Sequence, residues 1–377
     1  MTRGQAGALG ALGSLVFVVC CLLDAHGLRD SSLYSDVHVY ARYAGEMAHG
    51  RVPYRDFSDE YPPLAQPVFL AGRVAGAGNY ALAFKALMAA CGVGALVCGV
   101  ATLHALRASL PRAVAAVAVI AVSPLLVGPI FLNAYDLWPA LLLSLALLLL
   151  VRGRGVWALG VLGAAAAAKV YPLAVLPIFV LALEPAVRRR ALEAFAAVVV
   201  VAHLPFAALG AGGLEFSYRV QATRGLELNS LGASILLAAG HPHLANEAPG
   251  SLNVTGGTAR AFATLSAVLV VAAIAAATVG YVRGRPLVAA CAAAVVGFVA
   301  FDKVFSAQYV DWVVPLAPLA GVAAAGATIP VLVLTRLVFS HRSALAHVHD
   351  VPLLLARNAC VVALFALLLI ASPRSRT

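Results

Sequence analysis

Lysine is almost missing from this chain of 377 residues: three lysines stand against 23 arginines, and charged residues of every kind make up only 11%. With 62% hydrophobic residues in repeated long apolar runs, that scarcity excludes a soluble core, which cannot hide so much apolar surface. It puts the chain in the integral-membrane class. The six cysteines (Cys20, Cys21, Cys91, Cys98, Cys291, Cys360) all fall inside apolar runs without ligand spacing, which argues against a disulfide framework or a metal site. His241-Pro242-His243 is too slight a pattern to hold a metal. There is no glycine-rich dinucleotide fingerprint and no Asp-x-Asp motif, and no metal or other cofactor is expected. The net charge of +10 comes from arginines in short gaps between apolar runs. It reads as a record of cytoplasmic loops, and nucleic acid is not expected as a partner.

What the chain does have is a concentration of acid. Of 16 acidic residues, seven (Asp24, Asp30, Asp36, Glu46, Asp56, Asp59 and Glu60) lie between positions 24 and 60, directly after the first apolar run. Arg3 precedes that run, which has no small-residue cleavage site at its end, so it reads as a retained anchor with the N-terminus inside. Residues 24–79 then form a first outer loop and residues 210–260 a second. Ser35-Asp36 can start a helix with Asp36, Val39, Tyr40, Tyr43 and Met47 on one face and His38, Arg42, Gly45 and His49 on another. Glu60-Tyr61-Pro62-Pro63 sets an extended entry into Pro63 to Ala77, too short to span and expected to lie at the interface.

Basic turns then place the remaining spans: Tyr80 to Leu106, Ala113 to Leu132, a return to Arg152-Gly153-Arg154, the short runs Gly155 to Ala168 and Tyr171 to Leu183, and Ala191 to Leu209. Ala261 to Val282 and Leu287 to Phe301 follow. Asp311 to Ser340, carrying Pro315, Pro318 and Pro330, reads as two short spans, and Ala359 to Ala371 returns inward, with Arg374 and Arg376 in the cytoplasm. The expectation is one transmembrane domain over residues 1–377, all-α and polytopic, with about 11–12 spans and short helices in its extracytoplasmic first loop.

The lysines stand out because arginine does the work of the basic loops. Lys169 and Lys303 both fall at outer ends of spans, where a compact ammonium can neutralise a phosphate or simply snorkel to water; Lys85 reads as snorkelling. Asp59 and Glu60 can hydrogen-bond a polar substrate, orient basic partners, or be solvated loop charges. His38 and Arg42, one helical turn apart, can line the same cleft; His203, near the second loop, has no ligand-spaced partner. Tyr61, Tyr171, Tyr309 and Trp312 can stack on a substrate, although aromatics are expected at an interface in any case.

Three stretches carry a family resemblance. They are an Asp followed by Tyr40, then Gly50-Arg51-Val52-Pro53-Tyr54-Arg55-Asp56 and Glu60-Tyr61-Pro62-Pro63-Leu64; Gly163 through Lys169-Val170-Tyr171-Pro172-Leu173; and Lys303-Val304-Phe305-Ser306-Ala307-Gln308-Tyr309 ahead of Trp312 and Pro315. In this order they resemble the GT-C superfamily of membrane glycosyltransferases, most closely glycosyltransferase family 87, the polyprenyl-phosphate-dependent mannosyltransferases of bacterial envelopes. The chain departs from the family pattern at Ala307, where proline is usual, and near Tyr135-Asp136, where the family has Gly-Gln.

The resemblance implies a GT-C bundle in the plasma membrane with its active site on the extracytoplasmic face. It implies transfer of a sugar, mannose before others, from a polyprenyl phosphate to a glycolipid or glycan acceptor with inversion. Asp36 is implied as general base, set against a purely capping role. Lys303, Lys169, Gln308 and Tyr309 are implied at the donor phosphate, and Glu60, Tyr61, Asp59, His38, Arg42 and Tyr171 at the substrates. The alternative is a transporter or lipid flippase, for which intramembrane charges would mark a path and paired halves would be usual; no internal repeat is seen.

Overall fold

The computed structural model describes residues 1–23, 35–240, 243–247, 251–339 and 350–370; Asp24, Asp30, His241, Pro242, Ser340, Ala371, Arg374 and Arg376 lie outside them. Six helices are long and apolar enough to cross a membrane, and five more are shorter apolar helices of 10–17 residues. That is the polytopic helical bundle the runs predict. The chain divides into two units, Met1–Ala222 and Thr223–Thr377.

The first unit contains α1 (Arg3–Leu23), α2 (Val37–Ala48), α3 (Gln66–Ala71), α4 (Tyr80–Ala105), α5 (Leu110–Val127), α6 (Leu137–Val151), α7 (Gly155–Ala168), α8 (Leu176–Ala182) and α9 (Pro185–Thr223). In it α1 packs on α4 and α5, α4 on α6, and α6 on α7. Small residues set the closest approaches, as expected where helices associate by packing in lipid. A Cβ built on Gly163 would stand 2.8 Å from the Phe195 carbonyl oxygen, so α7 and α9 meet backbone to backbone there. Pro63 to Asn79 is not one interfacial helix. It breaks into 3₁₀ turns around α3, because Pro63, Pro67, Gly72 and Gly76 interrupt the hydrogen-bond ladder. Lys85 does not snorkel: it is completely buried in α4 among its helix neighbours Phe84 and Met88.

The second polar interval starts later than residue 210. Gly210 (φ −157°, ψ 52°) bends α9 and the helix resumes to Thr223. The bend is sharp: His203 Nε2 lies 2.5 Å from the Tyr218 hydroxyl. Fifteen residues of straight helix would separate them by about 22 Å. The expected end at Leu209 is therefore a real break, and a further helical arm follows it. Past the break this arm grips the first loop: a Cβ on Gly210 would lie 2.8 Å from Arg55 N, and one on Gly213 would overlap the Tyr54 carbonyl. Tyr54 itself sits at φ 67°, a conformation that costs a non-glycine residue on the order of 1–3 kcal/mol and persists only when its surroundings fix it. They do: its hydroxyl donates to the Tyr61 carbonyl at 2.5 Å and accepts from Gln66 Nε2 at 3.2 Å.

The second unit contains a small antiparallel sheet of β1 (Leu226–Glu227), β2 (Leu244–Glu247) and β3 (Ser251–Val254) in the order β1-β3-β2, and α10 (Leu231–Ala238). Ser230 caps α10, its Oγ accepting from Ala233 N at 3.2 Å. Then come α11 (Gly257–Val282), α12 (Leu287–Phe301), α13 (Val310–Val313), α14 (Val322–Val338) and α15 (Val351–Ile370). The sheet is an addition to the all-α expectation, invisible beforehand because strands of two to four residues show no period. Residues 311–340 do not split into two spans. The prolines leave short turns as far as Ala320, and Gly321 then opens a single helix, α14. The last helix begins at Val351, eight residues before its expected start, and so takes in Arg357 and Asn358.

The Gly213 contact yields a stability prediction. Gly213→Val should lower the melting temperature of the detergent-solubilised protein, with a loss of about 1–3 kcal/mol from overpacking. Gly212→Ala, with open space around it, should leave it nearly unchanged.

Candidate active site

Asp36 stands at the N-terminus of α2, but its side chain makes no capping hydrogen bond; Ser35 Oγ instead accepts from Val37 N at 3.3 Å. The Asp36 carboxylate is engaged away from the helix end. Its backbone N–H donates to the Asn133 carbonyl at 3.1 Å, tying the start of α2 to the turn that precedes α6. The Tyr40 hydroxyl donates to Asp36 Oδ2 at 3.3 Å. Tyr40 is fixed in turn by stacking on Phe69 (4.4 Å, 8°) and by edge contacts with Tyr61 at 5.4 Å and Tyr135 at 5.7 Å.

Across this aromatic cluster Lys169 forms an ion pair with Asp136, Nζ to Oδ1 2.6 Å, and lies 4.7 Å above the Tyr135 ring. The Tyr135 hydroxyl donates to the Ala168 carbonyl at 3.1 Å, which fixes the residue before the lysine. Asp136 is completely buried and the Lys169 side chain is only 17% exposed, so this pair is screened far less than a surface one. Burial raises the Asp36 carboxyl above the ordinary carboxylate range. The charge of Lys169 opposes that rise, Asp136 adds to it, and the Tyr40 hydrogen bond and His38 oppose it. Two carboxylates and one ammonium therefore share an electrostatic neighbourhood at the mouth of the first loop.

Asp59 lies in the same loop with no exposed surface, and its Oδ1 accepts from Tyr61 N at 2.8 Å. Burial pushes this acid up to about 7, against the Tyr61 N–H and Gln66, with Glu60 adding to the rise. Tyr61 packs against Phe69 and Tyr135. Tyr171 is buried one turn beyond Lys169. Glu60 is half-buried, and its carbonyl accepts from Gln221 Nε2 at 3.5 Å. His38 and Arg42 are exposed, and the Arg42 guanidinium sits 4.9 Å over the Tyr43 ring. Asp36, Tyr61 and Lys169 thus gather around one cluster, while His38 and Arg42 are exposed. His203 bridges the Val199 carbonyl and Tyr218 within α9 and belongs to the bend.

Lys303, Gln308 and Tyr309 belong to the second unit. Lys303 follows the end of α12, partly exposed; burial lowers its ammonium, Asp302 opposes this, and Arg224 lowers it further. Burial pushes Asp302 up to about 6 against the backbone N–H and the charge of Lys303. Tyr309 stacks on Trp312 at 3.9 Å. Among the described residues no group of His, Cys, Asp or Glu is arranged to hold a metal.

Asp136 is the residue the sequence reading passed over as a departure. It is the sole acid between positions 61 and 183, and that isolation was the available signal.

The helical architecture is that of a GT-C membrane glycosyltransferase. Over 98% of its length the chain superposes on 78% of a crystal structure of ArnT from Cupriavidus metallidurans bound to undecaprenyl phosphate, with a TM-score of 0.51 and 14% identity. The profile of glycosyltransferase family 87 matches residues 60–306, and the chain belongs to that family. No curated protein matches the chain.

Asp59 generates a pH prediction. Its folded-state pKa lies above the unfolded value, so the folded state binds the proton more tightly. Stability is then highest at low pH and falls as pH rises from about 4 towards about 7. Asp59→Asn should raise the melting temperature at pH 8 and flatten its dependence between pH 5 and pH 8; an unchanged slope would rule out Asp59 as its source.

Proposed function

We propose that this membrane glycosyltransferase moves a sugar, mannose before others, from a polyprenyl-phosphate donor to a glycolipid or glycan acceptor of a bacterial cell envelope. We place the reaction on the extracytoplasmic face of the plasma membrane. One observation carries the reading: in a family 87 chain the Asp36 carboxylate, not used as a cap, stands beside a tyrosine hydroxyl and within the field of Lys169. The resemblance to the ArnT structure, which holds undecaprenyl phosphate, supports the donor class.

In the step assigned here Asp36 takes the proton of an acceptor hydroxyl as its oxygen attacks the anomeric carbon. The bond from that carbon to the phosphate oxygen breaks, and the polyprenyl phosphate leaves with the electron pair. A β-linked donor then gives an α-linked product. A partly desolvated carboxylate is a stronger base than one in water, and the charge of Lys169 favours its ionised form. Lys303 is assigned to the donor phosphate, where its charge stabilises the leaving group, with Gln308 and Tyr309 beside it on the chain. Tyr61, Tyr171, Asp59 and Glu60 are assigned to sugar contacts. The exposed pair His38 and Arg42 is assigned to the acceptor.

In membranes given labelled polyprenyl-phosphate mannose, Asp36→Asn should cut transfer by roughly 10²–10⁴-fold at unchanged expression; retention of most activity would remove Asp36 as the base. The acid limb of the pH–rate profile reports the same group. Because the Lys169 charge lowers the Asp36 pKa, Lys169→Met should move that limb to higher pH, and a limb that stays in place or moves down contradicts the assignment.

A further inference from the structure

The second unit buries a cation that neither the reaction nor stability calls for. Arg357, inside the apolar helix α15, has no exposed surface. Its Nη2 donates to the Asn229 carbonyl, while Nε and Nη1 have no hydrogen-bond partner among the described residues. Its guanidinium lies 3.7 Å over the Phe305 ring. A buried charge is expensive, and a well-packed apolar side chain in its place is often neutral or stabilising; an ionisable group in a membrane helix therefore points to a role.

The contacts around it converge on one segment. Glu227 is buried too, and it holds residues 303–305 twice: its backbone N–H donates to the Lys303 carbonyl at 2.9 Å and its Oε2 accepts from Phe305 N at 3.1 Å. Its other oxygen accepts from Asn229 Nδ2 at 2.6 Å. The Asn229 carbonyl, besides taking Arg357, accepts from Asn358 Nδ2 at 3.3 Å, and Asn358 also reaches Ser234 Oγ at 3.0 Å. The three residues that carry Lys303 are thus fixed on the backbone at both ends by Glu227 and on the Phe305 ring by Arg357. Lys303 stays partly exposed.

We propose that Glu227 and Arg357 are positioning residues for the lipid-phosphate donor, setting the backbone of Lys303 so that its ammonium meets the phosphate in one geometry. The proposal rests on the assignment of Lys303 to the donor. Neither residue touches substrate: Glu227 orients the segment through hydrogen bonds, and Arg357 braces it through the Phe305 ring. Glu227→Gln loses one of two accepting oxygens. Arg357→Lys keeps the charge but loses the flat face that lies on the ring.

The test uses the full-length protein in detergent with undecaprenyl phosphate as the probe, together with transfer kinetics from labelled polyprenyl-phosphate mannose. Arg357→Lys and Glu227→Gln should each weaken undecaprenyl phosphate binding and raise the donor KM by roughly tenfold, with the acceptor KM within about twofold of wild type. Lys303→Ala should do the same and is the control for the donor reading. If Lys303→Ala weakens binding while both other variants leave it unchanged, or shift donor and acceptor KM equally, the positioning role is overturned and the donor assignment stands. If Lys303→Ala leaves binding unchanged, the donor assignment falls and takes this proposal with it. Should the two polar variants fail to fold, Phe305→Leu decides: a selective loss for the donor supports the proposal, and wild-type binding overturns it.

Discussion

A carboxylate drawn out of water stays ionised only where a positive charge is held beside it, and in the first unit a single ammonium serves two. Lys169 pairs directly with Asp136 and acts through space on Asp36. Without it, the Asp36 carboxyl would meet only burial and the neighbouring Asp136, both of which raise its pKa; Lys169 opposes that rise. The first loop, the turn before α6 and the end of α7 are all positioned by what this arrangement requires.

The loop is held to that geometry by means that cost stability locally. Tyr54 keeps an unfavourable backbone conformation because the second arm of α9 presses Gly213 against its carbonyl and the Tyr61 carbonyl takes its hydroxyl. Asp59 is a carboxylic acid with no exposed surface. A loop selected for stability alone would have glycine at 54 and an amide at 59. That it has neither is the pattern expected where a surface must keep its shape against substrates that bring their own polar groups.

Much of the bundle was legible because charge brackets it. Arg154 and Lys169 bound α7, and Arg285 and Asp302 bound α12, so Gly155–Ala168 and Leu287–Phe301 could be read to the residue. Gly210 could not be read, since a glycine after a long apolar helix signals an end or a bend equally, and Glu215, Tyr218 and Arg219 look like loop until His203 is seen to meet Tyr218. At the site, Asp36 stood out through the cluster of acids around it. Its partners did not, because Asp136 and Lys169 are 33 residues apart and their pairing is made by the packing of α6 on α7. Arg357 was hidden by a misplaced helix start.

Lys169 and Lys303 also stand in matching local surroundings, which bears on why lysine survives where arginine has taken almost every other basic position. Each follows the C-terminus of a short helix without charge, α7 or α12, whose last turn is largely buried. Each is followed by valine and a buried aromatic, Tyr171 or Phe305. The carbonyl at or just before each lysine is tied down from elsewhere in its own unit: Ala168 accepts from Tyr135 and Lys303 from Glu227. The negative end of a helix favours a cation at this position, and the tied carbonyl fixes where the side chain leaves the backbone. A branched guanidinium would need five donors satisfied in a fixed plane; an ammonium needs only a direction and one or two partners. Where the task is to place one compact charge at the end of a rigid helix, lysine fits and arginine does not, and two of the three lysines stand at such places.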